Sequence, residues 1–384
     1  IYETILIMSN KQLFILSPFQ VPDVKLALQT MHTGAHPILH LGHDQTVAQK
    51  ALNALSEATN QEFSVCYVEE SSTKLKLPAN VGRIIYPYGM NVPSAKNIER
   101  FCQVVSLQEA DSAIKEGIKN IIIKGNEGAG KVSEESSFIL FQKIIKSNKE
   151  KDVSIYLQGG AGIHTSAAAL ALGAQGVIMD SQIAMFPECS VPNGLKNIIE
   201  KLSGSETVVV DNFRILLRKN SPKLPHNATY QDIQPYIGGM DIEKNLIPMG
   251  QDISLSVDLL EKYKNLKGLV SGFYKAIHGH LQQAKKSQVI KANSKLAKSL
   301  NIQYPIAQGP MARVSDVPEF AKNVADSGAL PFMALSMMSG KDTKELLTDT
   351  QLALGEKTWG IGVLGFAPAE IRDQQMEHIL AVKP

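Results

Sequence analysis

Two glycine-rich stretches have the residue types and spacing most suited to chemistry. One reads KGNEGAGK at residues 124–131, the other reads LQGGAGIHT at residues 157–165, and each follows a short apolar run. A strand that ends in glycine lets the backbone approach a ligand closely because no Cβ intrudes. The free N–H groups of a following helix then attract an anion. Two such turns in consecutive strand–helix units predict a phosphate-bearing cofactor at the carboxyl rim of an α/β barrel, although either turn alone also fits an ordinary loop.

The candidate residues in these turns are mostly backbone positions. Glu127 is the exception, because its carboxylate could position a substrate or form a loop salt bridge with Lys131 four residues later. The candidate cofactor-binding residues of the two turns are Gly125, Gly128, Gly130, Gln158, Gly159 and Gly160.

Apolar runs of strand length alternate with helical patterns, which is typical of a parallel sheet built from strand–helix units. Eight strands within about 180 residues predict a closed (β/α)8 TIM barrel, and an open doubly wound sheet is the alternative. The predicted strands cover residues 14–16, 37–41, 63–68, 83–86, 103–106, 120–124, 154–158 and 176–180. The predicted helices between them cover residues 25–33, 44–57, 107–116, 134–147 and 165–172.

One joint recurs at the ends of these helices. Gly34, Gly117, Gly173 and Gly328 each follow a helical pattern and directly precede a strand. Glycine in this place adopts the left-handed conformation that ends a helix. The repeated joint indicates one repeated structural unit.

A longer repeat predicts three domains. Residues 34–37, GAHP, recur as GALP at residues 328–331, each after a short strand, a proline-containing turn and an amphipathic helix. We therefore expect a barrel at residues 1–185, a helical cap and connector without strands at 186–300, and the N-terminal half of a second barrel at 301–384. The second copy should supply strands at 305–308, 330–335, 360–364 and 379–382, and we expect the chain to be a segment of a longer polypeptide.

Composition narrows the function classes. The 384 residues are 44% hydrophobic and 20% charged, which is typical of a globular enzyme. A net charge of +2 predicts neither a nucleic-acid nor a membrane partner. Three scattered cysteines predict a reducing, cytoplasmic location and no metal site, and no apolar run reaches the ~18 residues of a membrane span.

Several segments resemble one known family. Residues 308–335 (QGPMARVSDVPEFAKNVADSGALPFMAL) resemble the first strand–helix unit of the nitronate monooxygenases, also called 2-nitropropane dioxygenases, a family that includes flavin-dependent enoyl reductases. Residues 124–138 resemble its Glu-Ala-Gly-Gly-His segment, residues 157–184 its phosphate-binding units, and residues 249–251 its late Gly-Gln. The doubled arrangement is similar to such domains in polyketide or polyunsaturated fatty acid synthases.

The resemblance implies an FMN-binding barrel. Gly159 and Gly160 would be the phosphate-turn glycines, and Ser181 stands where the family has threonine. Asp180 replaces the glycine of the second phosphate turn, and Phe19 would crowd the ring-binding surface of the first barrel. In the second copy the backbone that would line the flavin ring belongs to Gln308, Gly309, Pro310 and Met311.

The resemblance also suggests catalytic residues. Lys131 takes the place of the family's histidine, and since an unperturbed lysine has a pKa of about 10.4 we expect it to stabilise an anion rather than to act as a base. His164 could substitute as a base only if the fold brings it across one strand–helix unit; otherwise it is a loop or capping residue.

Three functions follow as hypotheses. The first is an FMN-dependent oxidoreductase acting on a small-molecule or acyl-carrier-bound substrate, next to other synthase domains. The alternative, suggested by Phe19, Lys131 and Asp180 together, is a flavin-free scaffold or carrier-docking barrel. A third is a phosphate-binding lyase or isomerase barrel without flavin.

Overall fold

A computed structural model describes residues 12–148 and 152–384. It divides the chain into two compact units, residues 1–281 and 282–384, which we call unit 1 and unit 2. Each unit is described by itself.

Unit 1 contains a closed parallel barrel whose eight strands follow one another in chain order, and the last strand pairs with the first. All eight predicted strands are confirmed, so the barrel and not the open sheet is the fold. The strands are β1 Gln12–Leu16, β2 His36–His40, β3 Phe63–Cys66, β4 Val81–Pro87, β5 Glu99–Val104, β6 Asn120–Lys124, β7 Ser154–Gln158 and β8 Gly176–Met179.

Five α-helices connect barrel strands: α1 Val24–Met31, α2 Gln45–Ala58, α3 Leu107–Lys115, α4 Ser137–Ser147 and α5 Ile163–Ala171. Side chains cap several of them, as Asp44 does by accepting the Val47 N–H at 3.0 Å. The glycine joint is confirmed, with φ between 83° and 108° at Gly34, Gly117, Gly173 and Gly328.

The interior of the barrel is apolar up to the last residue or two of each strand. Residues two apart in a strand point to the same side of the sheet. A residue that faces the barrel interior therefore implies that the residue two positions later faces it as well. Lys124 thus lies in the layer above Ile122, and Gln158 lies above Tyr156. The interior cluster consists of Phe14, Leu16, Ile38, Cys66, Ile85, Phe101, Ile122, Tyr156 and Ile178.

The segment after the barrel contains a small antiparallel sheet, so the prediction of a purely helical cap is wrong. Its strands are β9 Thr207–Val210, β10 Phe213–Leu216 and β11 Ile247–Pro248, and β10 also pairs with the two-residue strand Gly130–Lys131. The missed signal is a hairpin: the two-residue turn Asp211–Asn212 has φ of 47° and 62°, between short runs rich in β-branched residues.

Helices complete the segment. They are α6 Asn193–Ile199, α7 Tyr230–Ile233, α8 Ser256–Tyr263 and α9 Leu266–Ser287, with short 3-10 turns at Pro18–Gln20, Glu70–Lys74, Ser181–Ile183, Gln234–Tyr236 and Gln251–Leu255. Within the described ranges, no helix combines the length and apolar character needed to cross a membrane.

Unit 2 continues the strand–helix pattern with α10 Lys295–Ser299, α11 Pro318–Asp326, β12 Phe332–Ser336, α12 Gly340–Leu354, β13 Gly360–Val363 and α13 Ala369–Val382. Strands β12 and β13 are parallel neighbours. The strand expected at 305–308 reduces to one bridge between Ala307 and Leu330. The strand expected at 379–382 is wrong, because these residues end α13, where Ile379 and Val382 at helical spacing pack on the core of unit 2.

Candidate active site at the mouth of the barrel

A cavity of about 320 Å³ lies at the carboxyl ends of the barrel strands. Every strand contributes the inward residue at its carboxyl end or next to that end, which is where active sites form in this fold. These eight residues are Leu16, His40, Cys66, Pro87, Gln103, Lys124, Gln158 and Asp180. Loops and the small sheet complete the lining with Ser17, Phe19, Gln20, His43, Tyr67, Val68, Ala129, Lys131, Asp211, Asn212, Phe213 and Tyr230.

A buried hydrogen-bond chain crosses one side of this cavity. Gln103 Nε2 donates to Gln158 Oε1 at 2.7 Å, and Gln158 Nε2 donates to Asp180 Oδ2 at 2.9 Å. The carboxylate also accepts the backbone N–H of Ser181. Because a carboxylate can only accept, it fixes the orientation of both amides.

Lys124 is an unusual residue of the site because its amine is buried. Its side chain is only 6% exposed, and its Nζ forms no hydrogen bond or ion pair in the described part of the chain. Burial lowers the pKa of Lys124, an effect that the nearby Asp180 opposes and Lys131 reinforces. A larger share of this amine is therefore neutral at pH 7 than of an exposed lysine.

His40 faces the same cavity as a neutral imidazole. Burial lowers the pKa of His40 well below its usual value, and the charges of His43 and Lys124 lower it further. The Gly42 N–H donates to His40 Nδ1 at 3.2 Å, so the ring proton resides on Nε2. His40 can therefore donate a hydrogen bond into the cavity.

Lys131 lines the cavity but is held by a carboxylate. Its Nζ lies 2.9 Å from Glu109 Oε1, and its side chain is 43% exposed. Glu109 is itself fixed at the start of α3, where Oε2 accepts the Val105 N–H at 2.8 Å and its own N–H donates to Ser106 Oγ. The positive charge of Lys131 is thus already partly balanced.

Glu127 and His164 lie outside the cavity lining. The Glu127 carboxylate accepts the Ser137 N–H at 3.1 and 3.2 Å and so caps α4, and the loop salt bridge with Lys131 does not form. His164 is exposed, and its ring lies 4.5 Å from that of His280. The structure therefore does not bring the three candidate catalytic residues together.

The predicted cofactor-binding glycines pack against protein atoms. A Cβ on Gly125 would lie 2.2 Å from Ser137 N, and one on Gly159, which has φ of 96°, would lie 3.0 Å from Gly128 N. A Cβ on Gly160 would meet Glu127 Cγ at 3.1 Å. At Gly130, with φ of 70°, the neighbour is the Gln20 side chain. The two turns therefore need glycine because they contact each other and their surroundings.

Two of the N–H groups expected to bind phosphate, those of Gly160 and Ser181, already have acceptors within the chain. Gly160 N–H donates to Asp252 Oδ2 at 2.9 Å, and Ser181 N–H donates to Asp180. Ser181 Oγ in turn accepts the Gly250 N–H at 3.1 Å. As arranged, these residues do not fit the phosphate of FMN. The carboxyl groups of Asp252 and Asp180 accept hydrogen bonds from two of the N–H groups that a phosphate would need, and an ionised carboxylate would repel a phosphate.

Asp252 is a buried carboxyl group in this arrangement. It is 5% exposed, and its Oδ1 has no hydrogen-bond partner in the described part of the chain. Burial raises the pKa of Asp252 well above its usual value, and the charges of Asp180 and Glu127 add to the effect. This carboxyl is therefore more easily kept protonated than an exposed aspartate.

The four candidates of the second copy lie together in unit 2. Gln308 Oε1 accepts the Phe332 N–H at 3.1 Å, and the Met311 N–H donates to Ser315 Oγ at 2.8 Å. Gly309 and Pro310 lie between them.

Several site residues were not predicted from the sequence. They are His40, Gln103, Lys124 and Asp252, together with Tyr67, whose pKa burial raises to about 12. For the first three a signal was present: a polar residue at or near the end of an apolar run, as in PILH, FCQV and NIIIK. Asp252 has no such signal, since it reaches Gly160 from 92 residues away.

Comparison with known proteins shows the fold. No family model and no curated protein matches the chain. Among solved structures, FabK from Thermotoga maritima is 18% identical with a TM-score of 0.60, covering 74% of this chain and 98% of its own. The enoyl reductase domain of MlnA from the macrolactin biosynthesis cluster of Bacillus amyloliquefaciens is 11% identical, with a TM-score of 0.55 and coverage of 72% and 95%. Nitroalkane oxidase from Streptomyces ansochromogenes is 13% identical, with a TM-score of 0.51 and coverage of 71% and 97%.

Proposed function

We propose that unit 1 is a flavin-free barrel that binds a small-molecule or acyl-carrier-bound substrate in its mouth. The observation that carries this proposal is the hydrogen bond from Gly160 N–H to Asp252. It occupies an N–H group of the expected phosphate turn with an acceptor from the chain itself. The cavity has a polar side formed by Gln103, Gln158 and Asp180 and apolar walls that include Phe19. Convergent polar groups in an otherwise apolar pocket are the usual form of a substrate site.

The second candidate is an FMN-dependent oxidoreductase of the nitronate monooxygenase or enoyl-reductase type. It is supported by the likeness to a nitroalkane oxidase and an enoyl reductase domain and by the sequence Gln308–Met311 in unit 2. In that case Lys131 would stabilise negative charge on the substrate, and FMN would supply the redox chemistry. Such a protein would also be expected to work in the cytoplasm beside other domains of a polyketide or fatty acid synthase. The proposed division is a barrel at 1–185, a cap and connector at 186–300 and a second, partial barrel at 301–384.

A flavin titration distinguishes the two functions. The full chain is purified, its visible spectrum is recorded, and FMN binding is measured by calorimetry. We expect a colourless protein that takes up no FMN, and the visible bands of oxidised flavin at one equivalent per chain would overturn the flavin-free proposal.

Two variants test the physical reason. Asp252→Ser combined with Asp180→Gly frees the turn amides and removes two acids, so this protein should bind FMN more tightly than the native chain. Asp152→Asn is the matched control, because Asp152 is 98% exposed. If both proteins bind no FMN, the two acids are not what excludes it.

A further inference from the structure

Lys124 is a buried amine that opens onto a cavity and, within the described ranges, forms no hydrogen bond or ion pair, although the charge of Asp180 lies near it. Buried lysines usually form ion pairs, since an isolated ammonium loses its hydration. Here Nζ has no such partner among the described residues, although Lys131 nearby has Glu109. The charged and titratable groups around Lys124 are His40, Cys66, Lys131, Asp180 and Asp252.

We propose that Lys124 forms an imine with a small aldehyde or ketone bound in the cavity of unit 1. The inference rests on the proposed flavin-free function and names the substrate class of that site. A neutral amine is a nucleophile toward carbonyl carbon, and lysines in water-poor pockets are activated in this way.

The step balances without an external oxidant or reductant. The Nζ lone pair attacks the carbonyl carbon, a C–N bond forms, and the carbonyl oxygen takes a proton to give a carbinolamine. The hydroxyl group then leaves as water with the second amine proton, which gives a C=N bond to Lys124. The balance is one carbonyl compound plus one amine to one imine plus one water.

The neighbours of Lys124 suit this reaction. His40 Nε2–H faces the same cavity and can donate a hydrogen bond to the carbonyl oxygen as negative charge develops there. Asp180, hydrogen-bonded to Gln158, supplies a compensating charge for a protonated imine. The volume of about 320 Å³ is at the small end of ligand pockets and favours a compact carbonyl compound.

The test uses 2,4-pentanedione, a diketone that traps reactive amines as a conjugated enaminone with a near-ultraviolet band. The full chain is treated at pH 7, the band is followed over time, and peptide mass mapping locates the adduct. Because burial lowers the pKa of Lys124, a larger fraction of this amine is neutral at pH 7, so we expect Lys124 to react several-fold faster than the mean exposed lysine.

Two variants make the result decisive. Lys124→Met should lose the fast phase, whereas Lys119→Met should keep it, because Lys119 lies just before the other end of β6 and is 74% exposed. Circular dichroism confirms that both are folded. Adducts confined to exposed lysines in the native chain, or a fast phase that persists in Lys124→Met, would overturn the inference.

The two proposals fail in different ways. No adduct on Lys124 in a colourless protein overturns the imine alone. A bound flavin, seen in the visible spectrum before treatment, overturns the flavin-free function whatever the adduct shows.

Discussion

Asp252 offers a direct test of the hydrogen bond by which a buried carboxyl group binds the glycine-rich turn of unit 1. Burial and the charges of Asp180 and Glu127 raise its pKa in the folded chain. The unfolded value is about 3.9, so the unfolded chain releases this proton at a lower pH than the folded chain does. The contribution of Asp252 to the free energy of unfolding is therefore fully present below pH ~4, and it is lost as the pH rises through the folded pKa.

Asp252→Asn removes the titration but keeps an oxygen that can accept the Gly160 N–H. Above the folded pKa, each unit of upward shift costs the native chain about 1.4 kcal/mol, and the asparagine avoids this cost because its side chain stays uncharged. We therefore expect the variant to gain on the order of 1 kcal/mol or more in free energy of unfolding at pH 8. The gain should fall to a few tenths of a kcal/mol near pH 4, where the folded chain binds the proton and the unfolded chain binds it about half of the time.

The assay is urea unfolding of the full chain between pH 4 and pH 8, followed by far-ultraviolet circular dichroism. Trp359, the single tryptophan of the sequence, is buried in the core of unit 2, so its fluorescence follows unit 2 as an internal control. Asp152→Asn makes the same chemical change at an exposed site and should have little effect at any pH. A gain that does not depend on pH, or a loss at pH 8, would refute the reasoning about Asp252.

Three further predictions concern stability. Lys124→Met should raise the free energy of unfolding at pH 7 by about 1 kcal/mol or more, and the gain should fade toward pH ~10 because burial lowers the pKa of Lys124; a gain constant with pH would count against it. Arg214→Ala removes hydrogen bonds to Asn126 at 2.8 and 2.6 Å and should cost about 3 kcal/mol in urea unfolding, so an unchanged midpoint would contradict the role of this link. Gly159→Ala adds a Cβ 3.0 Å from Gly128 N at φ of 96° and should lower the free energy of unfolding by about 1–3 kcal/mol, whereas a native Tm would show that the turns separate easily.

The barrel could be predicted because each strand has its own signal. Runs such as NIIIK and SIYLQ are apolar, have strand length and follow a glycine joint. The same alternation places the inward residue at the end of each strand in one layer. The strand assignment therefore implies the layer that contains Lys124 and Gln158, although only Gln158 is predicted as a site residue.

Other features depend on contacts between distant parts of the chain. The pairing of Lys131 with Glu109 spans 22 residues, and the sequence offered Glu127 as a nearer partner. Glu127 instead caps α4, because the loop returns to the first residue of that helix. Local spacing cannot decide between two carboxylates when the loop conformation determines which of them is within reach.

The glycine-rich turns show the same limit of local sequence patterns at the candidate site. Their spacing predicts exposed N–H groups that attract an oxygen anion, and Gly160 N–H does bind a carboxyl oxygen. The sequence pattern is the same whether that oxygen belongs to a bound phosphate or to Asp252, since both satisfy the same donor. Which oxygen binds the Gly160 N–H depends on a residue outside the glycine motif. With an acid at position 252, the turn binds a carboxyl oxygen of its own chain, and without that acid its N–H is available to an external anion. The two acids at positions 180 and 252 should therefore matter more for FMN binding than the glycines that first suggested it.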